Sequence, residues 1–247
     1  MNTETDNRSI HTFNATIPEH LRVNLHVHSA FSDGQYIPQT LAVQAIERHV
    51  RVLGITDHYE TRKTLSIRAE LLPQYIDTLE QISADYHDHL RILKGLEINT
   101  LEICVHGRAL PNTDQLQRLD YVVLEYVTNI PRAGVPLKHA IMLAREIPVP
   151  VGLAHTDLAM AFPGVPPEEL VGMFSDAGIF LELNDAYHRP GERFPFYYHY
   201  APYFEAARQL RLRFSAGMDA HGPITGFCGR AMTLLMKNGL ENALFYV

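Results

Sequence analysis

Seven short apolar runs recur along the chain, centred near Leu25, Ile55, Leu96, Val123, Leu153, Leu183 and Ala216. They are spaced by about 30 residues, with one longer step before Leu96, which is the length of a strand–helix unit. The runs are continuously apolar rather than alternating, as in the Tyr-Val-Val-Leu of 121–124, and this suits parallel strands buried on both faces. Between them lie stretches of helical periodicity. Residues 38–50 carry Leu41, Ala45, Ile46 and Val50 at helical spacing, with Pro38 placed for a first turn. A longer helical region covers 65–90, interrupted near Pro73, and further helices are predicted at 137–145, 166–177, 198–210 and 228–237.

This alternation predicts an α/β fold. A distorted seven-stranded TIM-like (β/α) barrel is favoured over an open doubly wound sheet, because polar groups end most of the strands and not only those at one switch point. No Gly-rich dinucleotide fingerprint follows the first strand. The expected organisation is a polar N-terminal arm over 1–18 and a single barrel domain over 19–247.

The polar strand ends carry the chemistry. His26 and His28 close the first run, Asp57 and His58 the second, His155 the fifth, and Asp219 and His221 the seventh; Glu97 and Glu125 sit in the third and fourth. Residues two apart on a strand share a face, so His26 and His28 project together into the barrel mouth. His87 and His89 are an internal contrast: the same spacing on a helix diverges by about 200°, and the pair reads as solvated surface. Gathering this many imidazoles and carboxylates without a cation would leave unsatisfied donors and repelling acids. A metal site is therefore predicted, and nitrogen and oxygen donors without cysteine suit Zn, Mn or Fe.

Composition acts mainly by exclusion. The 247 residues are 46% hydrophobic and 20% charged, enough for one large buried core. A net charge of −7 argues against a general nucleic-acid or membrane binder, but leaves an anionic substrate open because bound cations reverse the local field. Cys104 and Cys228 read as reduced thiols. No signal peptide is expected and no apolar stretch reaches the roughly 20 residues of a membrane span, so a cytoplasmic protein is expected.

The segments 24–34, 54–58, 95–97, 153–155 and 217–221 read Asn-Leu-His-Val-His-Ser-Ala-Phe-Ser-Asp-Gly, Gly-Ile-Thr-Asp-His, Gly-Leu-Glu, Leu-Ala-His and Gly-Met-Asp-Ala-His. In this order they resemble the motifs of the PHP family of polymerase-associated and histidinol-phosphatase domains. The resemblance implies the distorted barrel, two or three divalent metal ions, and phosphoester hydrolysis. By position it makes His26, His28, Asp33, His58, Glu97, His155, Asp219 and His221 ligand candidates, with Glu97 bridging two ions. Asp33 also reads as an ordinary turn residue, and Asp57, facing the other side of its strand, as a capping or supporting residue. One departure stands out. Many members end the fourth strand with a histidine where this chain has Val127; Glu125, two residues earlier on the same face, or His106 could supply that ligand instead.

Through this resemblance the chain is expected to be a metal-dependent phosphatase or phosphoesterase. Its ions would lower the pKa of a bound water toward neutrality, and the resulting hydroxide would attack phosphorus. Asp33, His58 and His221 are the candidates for protonating the leaving group. Arg189 and Arg132, in loops on the same face, are candidates to grip the phosphate, with His188 a weaker one. The aromatic stretch 194–204 reads as packing. The implied substrate is a small phosphorylated metabolite, histidinol phosphate- or nucleotide-like. Two alternatives remain: a phosphodiesterase or nuclease module on the same metals, and a non-catalytic metal-binding regulatory domain. A nucleic-acid partner is not expected, one barrel would leave no room for a polymerase, and the oligomeric state is not legible.

Overall fold

The computed structural model describes residues 17–246. The polar arm expected at 1–18 falls almost wholly outside the described residues. The strands are β1 (Val23–Val27), β2 (Val52–Ile55), β3 (His58–Tyr59), β4 (Arg91–Lys94), β5 (Glu97–Asn99), β6 (Val122–Glu125), β7 (Val151–Leu153), β8 (Ile179–Asn184) and β9 (Phe214–Gly217). They form two parallel sheets, in the orders β1-β2-β4 and β3-β5-β6-β7-β8-β9. Every residue of β1 and β8 is buried, the polar Asn24, His26, Glu182 and Asn184 included.

The α/β class and parallel pairing are as expected, but the strand count differs. The second and third apolar runs are each broken in two, between Ile55 and His58 and between Lys94 and Glu97. At both breaks a helix side chain enters: the Tyr75 hydroxyl lies 2.9 Å from the Ile55 carbonyl and 2.8 Å from that of Gly95. The break shifts His58 into register with Glu97, and Glu97 with Val123. Ladder pairing does not run all the way round among the described residues. β1 and the segment after β9 meet through one bridge, Val27 to Ala220. Beside it the His28 amide donates to the Ala220 carbonyl at 2.9 Å and the Ala220 amide to that of His26 at 3.3 Å.

The longer helices sit close to their predicted positions: α1 (Pro38–Glu47), α2 (Leu72–Tyr86), α5 (Leu137–Glu146), α7 (Pro167–Ala177), α8 (Ala201–Leu210) and α9 (Gly229–Lys237). Pro73 starts α2 rather than interrupting a longer helix, since a first-turn proline lacks only an amide that would be unbonded there. Three short helices were not predicted: α3 (Thr100–Cys104), α4 (Thr113–Gln117) and α6 (Leu158–Ala161). The caps are local: Asn112 and Gln115 form a capping box on α4, and Asp157 caps α6. Among the described residues no helix is long and apolar enough to cross a membrane.

Within the sheets the interior is filled by aromatic rings, with Phe180 stacked on Phe245 at 4.1 Å and Tyr121 tilted against both. Gly54 makes room for Tyr121: a Cβ there would lie 2.0 Å from the tyrosine oxygen. The polar groups gather past this plug, at the C-terminal strand ends.

Candidate metal centre

Three groups of side chains converge there: His28, Asp33, His58 and His221; His26, His28, Glu97 and Asp219; and Glu97, Glu125 and His155. His28 belongs to two of them and so does Glu97. In the second group the donor atoms lie close together. His26 Nε2 lies 3.1 Å from His28 Nε2, 3.5 Å from Glu97 Oε2 and 3.3 Å from Asp219 Oδ1. His28 Nε2 is 3.4 Å from Glu97 Oε2 and 2.9 Å from Asp219 Oδ1. Ligand atoms about 2.0–2.1 Å from a tetrahedral centre are separated by roughly 3.3 Å, so these spacings suit a divalent ion.

The unsatisfied atoms point the same way. Five of the nine buried side-chain atoms without a hydrogen-bond partner among the described residues are His28 Nδ1, His58 Nδ1, Glu97 Oε2, Glu125 Oε1 and Asp219 Oδ1. His58 Nδ1 and Glu97 Oε2 are only 2.9 Å apart, yet not aligned for a hydrogen bond. Orphaned buried atoms concentrated in one cluster call for a ligand that the chain does not itself provide. The donor set therefore fits divalent metal ions.

Neighbouring residues fix these groups. Glu182 Oε1 lies 2.9 Å from His26 Nδ1, which directs Nε2 into the cluster, and its Oε2 accepts the His155 amide at 2.6 Å. Gly217 lies against this contact: a Cβ there would sit 2.2 Å from Glu182 Oε1 and 2.4 Å from the His26 Cβ. The Tyr187 hydroxyl donates to Asp219 Oδ2 at 2.8 Å while its ring stacks on His155 at 4.5 Å. His155 and Asp219 hold positive φ, 30° and 47°, a conformation costing a non-glycine residue about 1–3 kcal/mol and typical of functional sites. Asp57 turns away from the cluster and accepts from the Ser29 amide and hydroxyl and the Ser32 hydroxyl, tying down the loop after β1.

The electrostatics follow from this crowding. Burial disfavours charge on Glu97, but His26, His155 and His58 hold its carboxyl well below the usual range. Burial likewise opposes a proton on His26, yet Glu182, Glu97 and Asp219 hold that imidazole well above its ordinary value. For His28 burial wins and the pKa falls. A hydrogen bond donated to the Asp33 carboxylate lifts His221 to about 9 against burial. Glu125 is raised by burial and by the charge on Glu97, with Lys63 opposing.

The other predicted residues are placed as follows. His106 is exposed and in none of the three groups. Arg132 is exposed in a turn with φ 65°. Arg189 gives Nε and Nη2 to the two oxygens of Asp157, at 2.6 and 3.0 Å. That pair, with His155, Met160, Tyr187, His188 and Phe196, borders a recess of about 260 Å³. A larger cleft of about 1280 Å³, bordered by Arg22, Arg193, Arg230, Phe194 and Phe227, contains none of the ligand residues. His87 and His89 are exposed, and the thiols of Cys104 and Cys228 are free. Three participants were not foreseen. Glu182 is a charged residue inside an apolar strand, a signal that could have found it. Lys63, 2.9 Å from Glu125 Oε2, and Tyr187 lie in loops and carry no such mark.

Comparison with known proteins identifies the family. A profile of the PHP domain matches residues 24–147, just over half of the chain. The protein belongs to the PHP domain family. Over 104 residues, 42% of this chain, it is 30% identical to the DNA polymerase/3'-5' exonuclease PolX of Bacillus subtilis, of whose length the match spans 18%. In fold it resembles the crystal structure of histidinol phosphate phosphatase from Lactococcus lactis subsp. lactis, solved with zinc, L-histidinol and phosphate. That similarity has a TM-score of 0.59 at 18% identity and covers 89% of this chain and 94% of the other.

Proposed function

We propose that this protein is a metal-dependent phosphomonoesterase acting on a small phosphorylated metabolite, with one distorted barrel domain over 19–247. The observation that carries the reading is the His26–His28–Glu97–Asp219 tetrad, in which the buried Glu97 Oε2 and Asp219 Oδ1 have no hydrogen-bond partner, flanked by two further groups that share its members. His26, His28, Asp33, His58, Glu97, Glu125, His155, Asp219 and His221 would hold two or three divalent ions, Zn, Mn or Fe. When bound, such ions make water nucleophilic near neutral pH and offset charge on phosphoryl oxygens.

The chain's own residues do the rest. Glu182 and Tyr187 keep His26 and Asp219 turned inward. His221 is the most open of the candidate ligand imidazoles, with its Nε2 3.2 Å from Asp33 Oδ1; with that nitrogen left free of metal, Asp33 and His221 would hold a proton for a departing alcohol. His58 Nε2, 3.7 Å from Asp33 Oδ2, is the alternative proton carrier. The recess beside His155, with the Asp157–Arg189 pair in its wall, would receive the alcohol part of the substrate; its size suits a histidinol- or nucleoside-like group. The relative solved with L-histidinol and phosphate makes histidinol phosphate the first substrate to try.

The direct test is turnover of p-nitrophenyl phosphate and a phosphomonoester panel after chelation and re-addition of Mn or Zn. Metal-restored hydrolysis is expected, and no turnover with full metal content would sink the proposal in favour of a binding role. The partial match to an exonuclease-bearing polymerase favours a second reading, phosphodiester hydrolysis. Degradation of a labelled single strand faster than any monoester would establish it, against the net charge of −7.

A further inference from the structure

We propose that Lys63 is the cation that seats the substrate phosphate, an inference that rests on the phosphomonoesterase reading above. The loop of residues 60–66 leaves β3 at the ligand-bearing end. Its base is pinned where the Ile67 amide donates to the His58 carbonyl at 2.8 Å and the Glu60 amide to that of Ile67 at 3.0 Å. Inside the loop the buried Thr61 hydroxyl accepts the Lys63 amide at 3.2 Å and Asn99 Nδ2 at 3.3 Å.

The next three side chains each reach an acid. Arg62 Nε lies 3.3 and 3.2 Å from the two oxygens of Glu102, Lys63 Nζ 2.9 Å from Glu125 Oε2, and Thr64 Oγ1 2.8 Å from Asp33 Oδ2. Lys63 and Thr64 therefore bridge the Asp33 group and the Glu125 group, holding the ammonium beside the cluster. An ammonium has three donors, and Glu125 Oε2 takes one of them. The Lys63 side chain is 41% exposed, so its head is reachable from solvent, and its place 5.2 Å over the Tyr126 ring narrows its swing.

The two arginines in nearby loops are placed differently: Arg189 is bonded to Asp157, and Arg132 is exposed in its turn. A single ammonium here attracts a dianionic monoester more strongly than a monoanionic diester, so Lys63 also favours terminal phosphates.

The experiment compares metal-loaded wild type, Lys63→Met and Lys63→Arg, with Lys63→Gln as a second neutral variant should the first not fold. Inorganic phosphate binding is measured by calorimetry and metal content by elemental analysis. KM and kcat are measured for p-nitrophenyl phosphate and bis-p-nitrophenyl phosphate. The neutral variants should weaken phosphate binding roughly ten- to a hundredfold. They should raise KM for the monoester more than for the diester and keep the wild-type metal content, and Lys63→Arg should recover most of the loss. Unchanged phosphate affinity, or a neutral variant that loses an ion and so shows Lys63 to be only a prop for Glu125, would overturn the proposal. Calorimetry needs no turnover. Lys63-dependent phosphate binding in a protein that hydrolyses nothing keeps this inference and sinks the hydrolase reading, whereas ordinary turnover with Lys63-independent phosphate binding does the reverse.

Discussion

Two corners of the ligand cluster handle charge in opposite ways. At the His26–His28–Glu97–Asp219 corner the ion-pair partners of the acids among the described residues are all imidazoles, and five separations between donor atoms fall between 2.9 and 3.5 Å. At the Glu125 corner the chain brings in its own cation, Lys63, and Glu125 Oε1 stands 4.0 Å from His58 Nδ1. The first corner is built for a foreign charge. The second is partly neutralised from within, so it depends less on one. A cluster of similar-looking acids can thus contain positions of unequal need for metal, and the difference lies in one lysine of a neighbouring loop.

Breaking the first corner should have the largest effect. His26→Ala removes a vertex of the tetrad; elemental analysis should show an ion lost, and phosphomonoester turnover should fall by more than about a thousandfold, since an unassisted water is a far weaker nucleophile. Wild-type metal content in that variant would end the contrast between the corners. Chelation of the wild type should abolish turnover, with Zn or Mn restoring it. Glu182→Gln leaves all the ligands in place but weakens the partner of His26, so competition with a chromophoric chelator should show metal affinity reduced about 10- to 100-fold. Glu125→Gln should cost less, about tenfold in activity, with the tetrad ion retained; a loss equal to that of His26→Ala would show the two corners to be equivalent.

The smallest effect concerns a partly buried acid outside the cluster. Asp185 is raised by burial to about 6, even though the Tyr197 hydroxyl donates to it. Its folded value lies above the unfolded one, so the folded chain binds this proton more tightly. The stability it contributes is complete at acid pH, below about 3.9, and is lost as pH rises through 6. Asp185→Asn should therefore be more stable than the wild type at pH 8, by about 1–3 kcal/mol, with the gap closing toward pH 5 in thermal melts. An equal gap at both pH values would show that Asp185 carries no such penalty.

Much of the site was legible because its residues interrupt strong patterns. A histidine or acid ending an apolar run stands out, and His26, His58, His155 and Asp219 became candidates that way, while the resemblance added Glu97; the fold brings all five into the candidate cluster. The helices were legible from periodicity, and their errors fall at the ends, where Pro73 begins α2 and short capped turns add α3, α4 and α6. The split strands were not legible, since a continuous apolar run does not reveal that Tyr75, from a helix, will reach the carbonyls of Ile55 and Gly95. Nor was the role of Lys63: a lysine in a polar loop looks solvated until the fold sets it against an acid 62 residues away. The bonding of Arg189 to Asp157 is hidden for the same reason, being a contact between two loops.

Shared membership would have a thermodynamic consequence. Glu97 serves two of the three groups found among the described residues, and so does His28. If the proposed ions bind there, loading one position would settle the orientation of a donor that the next position also uses, so occupancies would be linked, and each cation would alter the affinity of its neighbour by the same factor that the neighbour alters its own. Uptake during a titration should follow a curve that no set of independent sites can fit.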